Sequence, residues 1–169
     1  MLKDEEKKHE KYMRMAINEA VRGVKKGQSP FGAVIVDKKA GKVIAKAHNT
    51  VVMNNNPTAH AEVNAIIKAG KRLRRFHLKG CAIYTTCEPC PMCFSAVHWA
   101  NLDELYYGAA IEDAERCGFR EMKIPCSKMK RSGGKNVTVK IHKNVLRDDC
   151  ARMMMDWKKS KNRKVYSIL

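Results

Sequence analysis

No stretch of the chain approaches the roughly 18 consecutive apolar residues of a membrane-crossing helix. Residues 1–30, which open with Lys3, Asp4, Glu5, Glu6, Lys7 and Lys8, hold no apolar leader core. Together these absences predict an intracellular, cytoplasmic chain with no membrane partner. There is no internal repeat and no Gly/Ser-rich linker, so the 169 residues are expected to form one domain over 1–169. A chain of that size buries roughly 70% of its unfolded surface. Apolar and charged fractions of 44% and 30% exclude a disordered chain, collagen or a coiled-coil rod. Acidic residues are scarce, with 17 against 34 Lys and Arg, giving a net charge of +17 at pH 7.

The seven cysteines are odd in number, which argues against a disulfide framework and for reduced thiols, some of them on a metal. The basic excess is uneven. From Ser127 onward 13 Lys and Arg face only Asp148, Asp149 and Asp156, whereas Asn101 to Cys126 carries six acidic and three basic residues. Such an excess serves solubility with a general attraction to polyanions, or it forms a dedicated nucleic-acid surface.

Apolar residues at helical spacing from Tyr12 to Val24, closed by Gly27 and Pro30, predict a first helix over Asp4 to Lys26. Phe31 to Val36 and Val43 to Ala47, joined by a turn containing Gly41, predict a hairpin. After the loop at Asn54 to Pro57 a helix is expected from His60 through Ala69, followed by a basic loop over Lys71 to Lys79. Cys81 to Thr85 and Leu105 to Tyr107 read as buried strands, and Pro89 to Pro91 start a helix reaching about Ala100. A short helix is expected from Ile111, a loop at Arg131 to Lys135, a strand through Val137, Val139 and Ile141, and a last helix over Asn144 to Lys158. Strands alternating with helices predict an α/β domain with helices on both faces of a mixed sheet. The tail 160–169 is too short and polar to fold alone, so it is frayed or docked on a partner subunit.

The chemistry concentrates in His60-Ala61-Glu62 and Pro89-Cys90-Pro91-Met92-Cys93. Two cysteines three apart at a helix start share one face, where the helix dipole favours thiolates. A histidine opening another helix can complete three protein ligands of a zinc ion, leaving the fourth position to water, as in a catalytic site. Glu62, two residues from a ligand, stands where a general acid/base must stand. A Cys-x-x-Cys pair alone would equally suit a structural zinc or a redox pair. The combination His-x-Glu with Pro-Cys-x-x-Cys is the zinc nucleobase deaminase signature. Cys87 precedes the helix and is read as non-ligating; Cys81, Cys117, Cys126 and Cys150 are read as buried thiols.

With these residues the chain resembles the cytidine-deaminase superfamily, and within it the guanine deaminase branch. The resemblance runs through Pro30 to Val36, Asn49, Asn56 to Ala65, Cys87 to Cys93, Trp99-Ala100, Tyr107 to Ala110, Asp113-Ala114 and Gly118-Phe119, covering roughly Met13 to Glu121. It implies a three-layer α/β/α sandwich around a five-stranded mixed sheet, with zinc on His60, Cys90 and Cys93 and with Glu62 shuttling protons. It also implies that Asn49 holds the base, that Phe31 and Trp99 wall the pocket, and that Glu121 places a second carboxylate near the leaving amine. Members of that branch form homodimers whose C-terminal segments cover the partner's pocket, and Tyr166 matches the tyrosine near their end.

The activity so implied is hydrolysis of guanine to xanthine and ammonia in purine metabolism, with a small nucleobase as the substrate. Zinc would supply a water acidified from 15.7 toward about 7. Glu62 would take its proton, pass it to ring N3 as oxygen adds at C2, and protonate the departing amine with help from Glu121. An alternative is a tRNA adenosine deaminase, which shares the zinc motif and would use the basic charge on phosphates; a deaminase of another free base or nucleoside is a further one. A third reading, a zinc-stabilised nucleic-acid-binding module, gives Glu62 no role.

Overall fold

A computed structural model describes residues 2–160. Its elements are α1 (Leu2–Lys25), β1 (Gly32–Asp37), β2 (Val43–His48), α2 (Val51–Asn54), α3 (Ala61–Leu73), β3 (Cys81–Cys87) and α4 (Pro91–Trp99), then β4 (Glu104–Ala109), α5 (Ile111–Arg116), α6 (Cys126–Gly133), β5 (Lys140–His142) and α7 (Arg147–Lys159). The strands form one five-stranded mixed sheet in the order β2-β1-β3-β4-β5. β1 runs antiparallel to both β2 and β3, while β3, β4 and β5 are mutually parallel. All seven residues of β3 are buried, as a strand covered on both faces must be.

Alternation along the strands sends successive side chains to two separate cores. On one face Ala33, Ile35, Ile83 and Leu105 pack with Ala61, Ala65 and Ala69 of α3 and with Phe94 and Val97 of α4. On the other, Val34, Val36, Tyr84 and Tyr106 pack with Tyr12, Met13 and Ala16 of α1 and with Cys150 and Met154 of α7. The expected three-layer α/β/α sandwich is therefore present.

Two glycines set the distance between layers. A Cβ on Gly32 would lie 2.1 Å from the Ala16 carbonyl oxygen of α1, and one on Gly108 would lie 2.3 Å from Cys150 Sγ of α7. The buried carboxylate of Asp113 joins three segments, accepting from the Ala110 N–H at 2.9 Å, from Arg116 at 3.0 Å and from Arg147 at 3.0 and 3.2 Å.

The structure departs from sequence expectation in five places. α3 continues to Leu73 and shortens the basic loop, because Arg74 in the left-handed region (φ 52°) ends it instead of an earlier stop. α2 is an additional single turn. α6, whose only buried residue is Cys126, is a helix the sequence reading did not assign, and it takes in the first residues of the loop expected at Arg131 to Lys135. The fifth strand is confined to Lys140–His142, and α7 begins at Arg147 because Asn144 and Leu146 have positive φ.

Across β3, β4 and β5 the register partners Tyr84, Tyr106 and His142 stack ring on ring, with centroids 4.6 and 4.3 Å apart. His9 of α1 lies over this row, 4.4 Å from Tyr106, with Nδ1 2.8 Å from the Tyr84 hydroxyl.

Gly32→Ala should destabilise the protein by about 3 kcal/mol, since backbone rather than a movable side chain blocks the added methyl; a urea midpoint equal to wild type would contradict that packing. Burial and the neighbouring Lys8 charge lower the His9 pKa, whereas an unfolded histidine titrates at about 6.5. The neutral ring is thus the folded form, and its contribution is complete above that value and lost as pH falls. His9→Phe keeps the stack without the titration, so its stability should fall less steeply than wild type between about pH 7.5 and 5.

Candidate active site

The sheet brings four chain segments to one end. β3 exits through Cys87 toward Cys90; β1, being antiparallel to it, enters there from Phe31; β2 leaves there at Asn49; α3 begins there after His60. His60 and Cys90 are the N-cap residues of α3 and α4, with nearly the same extended backbone (φ −68°, ψ 159° and φ −62°, ψ 167°). Pro91 opens α4, where its missing N–H costs nothing.

Two helix starts thereby converge on one point. His60 Nδ1 lies 3.8 Å from Cys90 Sγ and 3.5 Å from Cys93 Sγ. A tetrahedral ion with Zn–S near 2.3 Å and Zn–N near 2.1 Å needs N···S separations of about 3.6 Å. The three donors thus fit zinc without rearrangement, and they are the only group of three or more potential ligands so gathered among the described residues. The Cys93 thiol and His60 together hold Cys90 down to about 4, and the neighbouring Cys90 pushes Cys93 up, so one thiolate already stands beside the imidazole. Burial opposes protonation of His60, but the Cys90 sulfur and the Glu62 charge outweigh it and raise its pKa.

Glu62 is 7% exposed on the first turn of α3. Burial pushes its pKa up to about 7, with His60 pulling in the opposite direction. Glu121 approaches from the loop after α5. It is half-buried, burial and the Cys90 charge raise its pKa, and it acts in turn on His60 and Cys87.

Asn49 is buried, and its Oδ1 accepts the Val51 N–H at 3.0 Å, which orients the carboxamide and leaves Nδ2 as the group to offer a ligand. Its own N–H donates to the Phe31 carbonyl at 3.1 Å. The Phe31 ring stands edge-on to Phe119 at 4.8 Å. Phe31 and Asn49 are therefore neighbours, and the adjacent Thr50 N–H donates to Ala59 O at 2.9 Å, fastening this corner beside His60.

Trp99 is not brought to the group within one chain. It sits at the far end of α4, 79% exposed, with His98 as its ring neighbour. The helix places it roughly 9 Å along the axis beyond Cys93. Tyr166 and the tail lie outside the described residues.

Two residues were given no role by sequence reasoning. Asn64 Nδ2 donates to His48 O, Thr50 Oγ1 and Ala59 O at 2.9, 2.9 and 3.1 Å, locking the end of β2 to the loop that carries His60. Glu88 accepts the Cys126 N–H at 2.8 Å, while Cys126 Sγ donates to Pro89 O at 3.3 Å, so the start of α6 is pinned to the loop that carries Cys90. The available signal was their position inside the two motifs, a carboxamide and a carboxylate among apolar and ligand residues.

The cytidine and deoxycytidylate deaminase zinc-binding region matches residues 6–109, which contain all three donors and Glu62. The chain belongs to that family. This deaminase is 48% identical over 112 residues to guanine deaminase of Bacillus subtilis, covering 66% of this chain and 70% of that one. It is also 43% identical over 100 residues to a tRNA-specific adenosine deaminase of Aquifex aeolicus, covering 59% of this chain and 65% of that one. A solved structure of guanine deaminase from Nitrosomonas europaea superposes with a TM-score of 0.82 at 28% identity, over 89% of this chain and 85% of that one. The chain is thus a hydrolytic deaminase of a zinc-dependent family, and no described helix is long and apolar enough to cross a membrane.

Cys90→Ala or Cys93→Ala should lose stoichiometric zinc, as read by metal analysis of purified protein. Cys87→Ala should retain it, since Cys87 stands outside the group with its Sγ on Ala110 O at 3.6 Å. Zinc loss on changing Cys87 would reject this ligand set.

Proposed function

We propose that this deaminase hydrolyses guanine to xanthine and ammonia, with His60, Cys90 and Cys93 holding zinc. The observation that carries the catalytic reading is the buried Glu62 carboxyl beside three donors that already satisfy the metal's protein coordination. A structural zinc or a binding module has no use for such a carboxyl. Held by these three residues, zinc would lower the pKa of a water to about 7.

Glu62 accepts a proton from the attacking water as oxygen adds to C2 of the purine, and delivers it to ring N3. A second proton passes through Glu62 to the exocyclic nitrogen, which leaves as ammonia while the C2–N bond breaks. Glu121, raised by burial, stands on the same side as His60 and Cys90 and holds the departing amine. Asn49 Nδ2 donates to the purine edge, and Phe31, braced by Phe119, forms an apolar wall.

The guanine assignment is supported by the relatives of that activity and by Glu121, the second carboxyl that the resemblance assigns to the free-base branch. The matching tRNA-specific relative and the basic charge favour a second reading, deamination of adenosine in tRNA. For the homodimer expected from the resemblance, Trp99 and the 290 Å3 depression it shares with Phe94, Ile124 and Val137 offer apolar surface to a second copy.

Ammonia release should be measured from zinc-loaded protein given guanine, guanosine, adenine, cytosine, cytidine or tRNA in turn. Guanine should be the productive substrate, and inosine formed only in tRNA would replace this reading by the second. Glu62→Gln should retain zinc and lower kcat by about 10²- to 10⁴-fold. Asn49→Ala should raise KM more than it lowers kcat, because it removes binding shared by ground and transition states.

A further inference from the structure

Between Lys38 and Gly80 the chain carries ten Lys and Arg and a single acidic residue, Glu62. All ten are exposed, and Glu62 is buried at the active-site end of α3. α3 spans 13 residues from that end to Leu73, a length of about 20 Å at 1.5 Å per residue. Its last turns and the loop after it therefore present their charge at a place remote from the catalytic group.

Several of these cations have structural work. Lys38 pairs with Glu104 and Asp103 at 2.5 and 3.3 Å. Arg72 donates to the Ile44 carbonyl at 2.9 Å and Arg75 to that of Lys79 at 3.1 Å. Among the described residues no acidic side chain forms a salt bridge with Lys71, Arg74 or Lys79. In the middle of this group stands Phe76, 91% exposed, the most exposed large apolar side chain described. With Ile66, Ile67 and Gly70 on the facing side of α3 it borders a depression of 580 Å3 that Lys71, Arg74 and Arg75 also line. A Cβ on Gly70 would lie 3.2 Å from the Arg75 carbonyl oxygen, so the glycine lets the loop that carries Phe76 close onto the helix.

Folding gives no reason to hold a phenylalanine ring in water, since burying it would stabilise the chain by about 1.5–3 kcal/mol. An open ring flanked by unpaired cations matches the needs of a single-stranded nucleic acid, whose bases stack on aromatic faces while Lys and Arg meet the phosphates. A duplex conceals its base faces and cannot use the ring. The shallow depression beside the ring is lined by Lys71, Arg74 and Arg75, so a chain lying across it meets cations next to the aromatic face.

We propose that the C-terminal end of α3 and residues 74–79 form a binding site for single-stranded RNA or DNA, with Phe76 stacking on a base and Lys71, Arg74 and Lys79 on adjacent phosphates. The site is separate from the deaminase centre, whichever base that centre acts on.

Fluorescein-labelled oligouridine and oligothymidine of about twelve nucleotides, a duplex of the same length and phosphatidylglycerol vesicles serve as probes of the full chain. Single strands should bind more tightly than duplex. Phe76→Ala should weaken single-strand binding about tenfold with the salt slope unchanged, and Phe76→Trp should restore it. Arg74→Gln with Lys79→Gln should reduce the slope of log K against log salt by about 1.4. The equally charge-reducing pair Lys135→Gln with Lys143→Gln, elsewhere on the surface, should change it less. Ammonia release by these variants should equal wild type, which shows that they fold. Equal losses from both charge pairs with no effect of Phe76→Ala would overturn the proposal in favour of general cationic attraction. Phe76-dependent capture by the vesicles but not by single strands would overturn it in favour of a membrane surface.

Discussion

Two helix N-termini aimed at one point are the constraint on which the rest of this structure rests. An N-cap residue ordinarily spends its side chain on an orphan backbone N–H, and replacing such a cap costs about 1 kcal/mol. Neither His60 nor Cys90 makes that bond. The His60 ring lies against the sulfurs of Cys90 and Cys93, so both helix starts border the same small volume. Partial positive charge there favours thiolate and carboxylate. The stability forgone at the two caps therefore becomes affinity for a divalent cation and for the anionic groups that serve it.

Only a mixed sheet can assemble the remaining walls so economically. In a fully parallel sheet the entry to β1 would lie at the end opposite to the exit of β3. Because β1 is reversed, Phe31 enters beside the Cys87–Cys90 loop, and because β2 reverses again, Asn49 leaves there too. The parallel pair β3 and β4 then carries Ala109 and α5 to the same edge, from which the chain reaches Glu121. Packing reinforces this through close contacts that only Gly32 and Gly108 permit.

Much of this was legible in the sequence because the signals were local. The ligand spacing, the helix starts at His60 and Pro91, the alternating strands and the helices on both faces follow from periodicity and short motifs, whereas Asn49, Phe31 and Glu121 were expected only from the family resemblance; all of them lie at the same end of the sheet as His60, Cys90, Cys93 and Glu62. Other features depend on partners distant in the chain. α6 has one buried residue and a polar sequence, and its start is held by Glu88, 38 residues earlier. Asn64 is unremarkable until the structure shows its amide bridging β2 and the His60 loop. Trp99 is an aromatic in a matching stretch, but a nine-residue helix carries its C-terminal end away from the ligands at its N-terminal end.

The distribution of charge has its own logic. The carboxyls Glu62, Glu88 and Glu121 lie at or next to the ligand end of the sheet, while the exposed cations from Lys38 to Lys79 crowd the other end and the outer face of α3. A nucleobase such as guanine carries no net charge at neutral pH, so electrostatic steering of the substrate cannot account for a +17 surface. Self-repulsion among like charges works against the compact fold, and solubility alone requires far fewer. The excess therefore points outward, toward an anionic partner, and Phe76 shows where on the surface that partner finds an apolar face as well as a charge.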